Sequence, residues 1–221
     1  MPTQATRLLA RVLDGAAGAA GATGAAGAAG EQAPDALHER ILDAALELAA
    51  ASGLRHLTMD AVAARAGAGR MTVYRRFGTR QALIDALVAR EGRRCLQAIA
   101  TSFHPDDPLP DRAADVFVAT LSLIGEHPLL ERLARVEPEA LLRELGRGDS
   151  EVFELVRAFL VAEIRAAQAA GEVAAGDPEP LAELALRLGA SFVLIPGGVF
   201  STAPEDTVRQ TIRSLLAAQR P

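Results

Sequence analysis

"AGAGRMTVYRRFGTRQAL", residues 66–83, decides how the rest of the chain is read. Two glycines, Gly67 and Gly69, precede a short run of polar and aromatic residues with paired arginines, Arg75 and Arg76. The glycines suggest a phosphate loop; the arginines suggest a grip on nucleic acid. A dinucleotide fingerprint needs its third glycine at position 72, where Thr72 stands, and it needs a strand before it. Residues 59–66 read as a helix. The chain contains no lysine, so a Walker-type loop is excluded.

The flanks explain the glycines differently. Thr58 is a good helix cap, and Asp60 lies in the first turn, where the helix dipole favours an anion. "MDAVAARA", residues 59–66, is a helix of about two turns, ended by Gly67. A third short helix is predicted over Arg70 to Phe77, with Val73 and Phe77, four apart, turned inward. Thr79 caps a fourth, long helix to about Ala100, striped with Leu83, Ile84, Leu87, Val88 and Leu96. Upstream, Leu37, Ile41, Ala44, Ala45 and Leu48 share one face of a first helix that Gly53 stops. Two short helices joined by a tight glycine turn make a helix-turn-helix.

Charge supports that reading. The whole chain has 23 basic and 28 acidic residues, net −5. Residues 36–100 carry 10 arginines and 6 acids, net +4; residues 101–221 carry net −8. A basic segment beside an acidic one fits one part facing phosphate and the other not. The second helix of such a motif enters the major groove with its N-terminal residues at base edges. Arg70 and Arg75 suit a phosphate or a guanine edge. Thr72 offers a hydroxyl and a methyl, and Met71 an apolar contact to a thymine methyl. The Tyr74 hydroxyl reaches towards phosphate, and Arg76 and Arg80 extend the positive edge. Short helical hairpins also occur without DNA, as solvated faces.

"ILDAALELAAASGLRHLTMDAVAARAG", residues 41–67, and "MTVYRRFGTRQAL", residues 71–83, resemble the N-terminal domain of the TetR family of bacterial transcriptional regulators. The run Thr72 to Phe77, and the capped Thr79-Arg80 with Leu83, carry the likeness. It implies that Thr58 meets a phosphate, that Arg70, Met71, Thr72 and Arg75 face the groove, and that Tyr74, Arg76 and Arg80 anchor to the backbone. Three positions depart from the family pattern. Gly69 stands where Ser or Thr usually caps the reading helix, Ala68 replaces a larger apolar residue, and Gly78 a frequent proline.

The expected fold is all-α. A three-helix DNA-binding domain at 36–82 extends through its fourth helix to about 100, and a helical ligand-binding and dimerisation domain follows at 101–221. Helices are predicted at Asp111–Glu126, Pro128–Arg135, Pro138–Gly146, Ser150–Ala170, from Asp177-Pro178 to the "IPGG" at 195–198, and after a capping box at Thr202 to Glu205. The resemblance implies a homodimer through the last two helices, a double-stranded, pseudo-palindromic DNA operator read by two heads roughly 34–36 Å or a multiple apart, and a cavity for a small-molecule inducer. Phe103, Phe117, Phe153, Phe159 and Phe192 are candidate lining residues, each also readable as plain core.

Other chemistry is not indicated. His38, His56, His104 and His127 are scattered without ligand spacing, "GASFV" around Ser191 lacks the second glycine of a nucleophile elbow, and Glu137 and Glu139 stand beside a proline where helix-start carboxylates are expected. The single Cys95 rules out an internal disulfide. No catalytic residue, metal or cofactor is expected. No apolar run reaches about 18 residues, and no export signal is recognisable, so a cytoplasmic protein without a membrane role is expected. "GAAGAAGATGAAGAAG", residues 15–30, has nothing large to bury, and 1–35 reads as a disordered tail.

Overall fold

Apolar residues at three- and four-residue spacing form helices throughout, and no strand occurs among the described residues. The structure is a computed structural model that describes residues 36–221 apart from 103, 105, 140, 141, 143–150, 196 and 218–221. The expected tail at 1–35, Phe103, and most of the short helix expected over 138–146 lie outside the described residues. The helices are α1 Ala36–Ser52, α2 Met59–Arg65, α3 Arg70–Phe77, α4 Arg80–Ala100, α5 Leu109–Glu126, α6 Pro128–Val136, α7 Glu151–Ala169, α8 Glu179–Leu194 and α9 Glu205–Ala217. Two 3₁₀ turns, Leu54–His56 and Val199–Ser201, were not foreseen.

The first four helices share one core. Ile41, Leu42, Ala45 and Ala49 of α1 meet Val62 of α2, Val73 and Phe77 of α3, and Leu83 and Leu87 of α4. Each fully buried Val, Leu or Ile contributes about 1.5–3 kcal/mol of transfer free energy, so this stripe fixes the angles of the short helices. His38 stacks on Phe77 with ring centroids 5.0 Å apart. Leu129 and Leu133 of α6 join the same core, so the second half of the chain enters the first.

A buried polar seam runs beside that core. Arg90 of α4 donates to Asp43 Oδ1 (2.8 Å), Glu39 Oε2 (3.2 Å) and Glu91 Oε1 (2.7 Å). His127, at the corner where α5 and α6 turn by 79°, lies 3.2 Å from Glu91 Oε2 through Nε2. Burial pushes the Glu91 carboxyl up, but the His127 contact and the guanidiniums of Arg90 and Arg94 outweigh it and hold it below the usual carboxylate range.

The remaining helices pack around α5. Arg209 pairs with Asp115, and Arg213 Nε lies 2.6 Å from Asp111 Oδ1, fastening α9 to α5. Arg112 donates to Asp107 O (2.6 Å) and Glu172 Oε2 (3.2 Å), holding the start of α5 to the loop after α7. The expected capping box is displaced. The Thr202 and Ala203 amides both donate to Val199 O, which makes them the end of the 3₁₀ turn. Val208 N donates to Pro204 O at 3.2 Å, so the helix begins at Glu205 instead of just after Thr202.

Candidate DNA-binding surface and ligand cavity

The glycines at 67 and 69 make a turn between helices. Gly67 has φ 61°, the left-handed conformation that closes α2. Its amide donates to Ala64 O (3.3 Å), and the Ala68 amide donates to Ala63 O (2.9 Å), the paired bonds of a Schellman motif. Gly69 then caps α3 with extended backbone and no side-chain hydrogen bond. At the other end Gly78 (φ 72°) stops α3, and Thr79 Oγ1 accepts from the Ala82 amide at 3.1 Å. The helix is thus held at both ends and along its inner face by Val73 and Phe77.

Its outer face is unspent. Met71 is 77% exposed, a large apolar side chain offered to solvent on a helix whose other apolar residues are buried. Arg75 is exposed and has no hydrogen bond or ion pair among the described residues; Arg76 is exposed beside it. Arg70 Nε lies 2.9 Å from Asp60 Oδ1, and its guanidinium sits 5.4 Å from the Tyr74 ring centroid. That pair is solvent-exposed and worth under about 1 kcal/mol, so Arg70 can exchange Asp60 for a phosphate. Thr72 is half-buried, and Tyr74 lays its ring on the core. Thr58 Oγ1 accepts from the Ala61 amide at 3.2 Å, which leaves its O–H free to donate to a phosphate at the N-terminus of α2.

Arg80 differs from the other arginines. Its Nε donates to Leu57 O (2.6 Å), and Nη2 donates to Leu54 O (2.5 Å) and Arg55 O (3.0 Å). The guanidinium is committed to the carbonyls of the 3₁₀ turn and holds the frame on which α2 begins. Arg65 Nε donates to Glu47 Oε2 (2.5 Å), and Arg40 donates to Ala66 O (3.3 Å), tying the end of α2 to α1. In the sequence Arg40, Arg65 and Arg80 are simply positive charges. Only Arg80, one residue past a capping threonine, carries a positional hint.

A second concavity of about 320 Å³ lies between α5, α6, α8 and α9. Val118, Leu121, Ile124, Ala134, Phe192 and Phe200 supply its apolar wall. Phe117 stands edge-on behind them, 4.8 Å from Phe192 and 5.7 Å from Phe200 between centroids. Phe159 instead packs with Leu96 and Leu155 in a separate core, and Phe153, half-buried on α7, does not reach the cavity wall. Phe200 was missed because it follows the Gly197-Gly198 break, where helical spacing gives no direction.

The described residues offer little else chemically. Cys95 is pushed up to about 11, first by burial and then by the Glu91 charge, so it is not a nucleophile at neutral pH. No group of three or more His, Cys, Asp or Glu among the described residues could hold a metal. No single helix among them is long and apolar enough to cross a membrane.

Known proteins match this arrangement. Residues 41–87 match the family model described as bacterial regulatory proteins, tetR family. Over 122 residues the chain is 30% identical to an uncharacterized HTH-type transcriptional regulator of Mycobacterium tuberculosis, covering 55% of this chain and 60% of that protein. The chain thus spans about 60% of the length of the curated relatives it matches. Among solved structures, GusR of Salmonella enterica superimposes with a TM-score of 0.64 at 22% identity, over 85% of this chain and 97% of that one. FadR of Bacillus subtilis, solved in complex with stearoyl-CoA, gives 0.63 at 18% identity over 83% and 100%. These structural likenesses are of fold. Residues 41–87 thus carry a helix-turn-helix that matches the tetR family model, and the chain shares its helical architecture with these solved structures along most of its length.

Proposed function

We propose that the chain is a dimeric, ligand-responsive DNA-binding transcriptional regulator, acting as a repressor at a pseudo-palindromic operator. The observation that carries this is the outer face of α3, where Met71 and Arg75 are exposed and uncommitted on a helix fixed from both ends. Arg70, Met71, Thr72 and Arg75 read base edges. Thr58, Tyr74 and Arg76 hold phosphates, and Arg80 positions the frame beneath them.

The dimer supplies two reading heads. Leu181, Leu184 and Leu188 are exposed along α8, Ile195 just past its end, and Leu215 on α9. Their spacing along α8 draws one apolar stripe, and a second copy covers it. The cavity takes a compact, uncharged, mainly apolar molecule. Its volume is at the small end for ligand sites, and its charged side chains are matched within the chain, Glu131 with Arg135 at 3.6 Å and Glu205 with Arg209 at 3.5 Å. Ligand binding lowers DNA affinity by favouring a second arrangement of the heads.

Salt titration of DNA binding tests the core of this reading. Affinity that falls steeply and linearly in log salt supports phosphate contact; affinity indifferent to salt overturns it. The cavity alone would then favour an all-helical small-molecule-binding protein without DNA function. Footprinting on the DNA flanking the protein's own coding region locates the operator, where a pseudo-palindrome is expected.

A further inference from the structure

Helix α6 has two working faces. Leu129 and Leu133 are buried in the core of the first four helices, while Glu131, Ala134 and Arg135 line the cavity. The residue just past its end, Glu137, is only 5% exposed. Its carboxylate rests directly on the backbone of Gly53: a Cβ added there would lie 1.6 Å from Glu137 Oε1. Gly53 also has φ 92°, so two independent constraints keep the position glycine.

The carboxylate is poorly compensated. Arg132 Nε is 4.0 Å from Oε1, beyond hydrogen-bond reach. Neither that Nε nor Glu137 Oε2 has a hydrogen-bond partner among the described residues. A buried charge with so little pairing costs free energy.

The contact also falls at a sensitive place. Residues 53–57 run directly into Thr58, and Arg80 grips the carbonyls of Leu54, Arg55 and Leu57. Glu139, two residues beyond Glu137, ion-pairs with Arg55 in the same segment. The segment is held between the end of α6 and the start of α4.

We propose that Glu137 is a positioning residue for DNA binding: it presses residues 53–57 into the register that presents Thr58 and the start of α2. This rests on the regulator reading above. The affected element is the connection between α1 and α2.

The test uses the full chain with E137A, E137Q, G53A and the G53A/E137A double variant. Three quantities are measured: hydrogen exchange of the amides of residues 54–61, the thermal midpoint, and affinity for a duplex enriched from a random pool by the unmodified protein. E137A should speed exchange at 54–61 about ten-fold and weaken DNA binding about five-fold or more, with the thermal midpoint unchanged or raised because a poorly paired buried charge is gone. E137Q, which keeps the shape, should restore exchange and affinity. G53A should weaken binding, and E137A on that background should recover part of the loss, since the collision is removed.

Exchange and affinity unchanged in E137A would overturn the proposal. So would an affinity loss that only tracks a lowered midpoint, or E137Q being as defective as E137A. If G53A does not fold, the E137A and E137Q pair decides. If no duplex is enriched, the regulator reading fails, and exchange at 54–61 still decides whether Glu137 positions the segment.

Discussion

The first four helices and the five that follow are both all-α, yet they spend their apolar residues differently. The largest fully buried side chains, Ile41, Leu42, Leu57, Val62, Val73, Leu83 and Leu87, all belong to the first region. Among the described residues beyond 108, the side chains at 0% exposure are alanines, Ala114, Ala167 and Ala182. The exposed large apolar residues show the opposite bias: Met71 alone in the first region, but Leu181, Leu184, Leu188, Ile195, Val199 and Leu215 among those in the second. A region that closes its own core can hold a two-turn helix rigidly, as reading DNA requires. A region that leaves a cavity and a leucine stripe uncovered has surface to bury against a ligand and a second copy.

The largest effect expected from breaking this contrast lies in the stripe. Leu184→Glu combined with Leu188→Glu places two charges on the face assigned to the partner copy. Sedimentation should show a monomer with helix content retained, because both positions are exposed in the single chain. Loss of the second head should weaken operator binding by about 10²-fold or more, the usual return from linked sites. A dimer that persists would mean the stripe faces something else.

In the first region the contrast sharpens to two arginines. Arg75→Ala should cost about 1–3 kcal/mol of DNA binding and relax specificity at the base it meets, with stability unchanged. Arg80→Ala should lower the thermal midpoint, since three carbonyl partners lose a charged donor worth about 1.5–3 kcal/mol per bond in buried settings and less in this part-exposed one. Its DNA affinity should fall through displacement of Thr58, uniformly across sequences and with little change in salt slope. A lowered salt slope with an unchanged midpoint would return Arg80 to the phosphate contacts.

The seam between the regions adds a pH dependence. Glu91 is held below the ordinary carboxylate range, so it contributes stability that is complete above that range and is lost as pH falls through its folded value. Glu163, buried near Arg112, is raised by burial despite that guanidinium, so its contribution runs the other way and stability is gained as pH falls through its folded value. Glu91→Gln should cost about 1 kcal/mol at neutral pH, since glutamine keeps part of the hydrogen bonding, and should flatten the acid limb of the stability curve. Midpoints collected across the carboxylate range distinguish this from a uniform loss.

Legibility in the sequence followed the same divide. The helices from Ala36 to Ala100 could be placed because most of their ends are marked by chemistry with one conformational meaning: Gly53, Thr58, Gly67 and Thr79. Inward faces followed from spacing, as with Val73 and Phe77. What spacing could not convey was the destination of an arginine. Arg75 and Arg80 look alike in sequence, and only the folded 3₁₀ turn shows that one is consumed by carbonyls. In the second region Phe192 and Phe159 look equally apolar, and their separation into cavity wall and core depends on helices distant in sequence. Glu137 reads locally as a helix-start carboxylate, because nothing near it in the sequence reveals that its side chain ends against Gly53.

The smallest expected effect concerns the one weak point in the well-closed region. Gly69 caps α3 with no side-chain oxygen, although its backbone (φ −67°, ψ 139°) is extended like that of an ordinary cap. A Cβ there meets only Thr72 Oγ1, at 3.5 Å, an ordinary contact. Serine therefore fits without strain, and its hydroxyl can accept from the amides of the first turn. Gly69→Ser should stabilise by a few tenths of a kcal/mol, with a further small gain from restricting the unfolded chain. The informative comparison is between stability and DNA affinity in the same variant. A raised thermal midpoint with unchanged affinity means that the glycine merely leaves a cap unmade. A raised midpoint with weakened affinity means that α3 must shift slightly as it enters the groove, and that the bare cap supplies the freedom to do so.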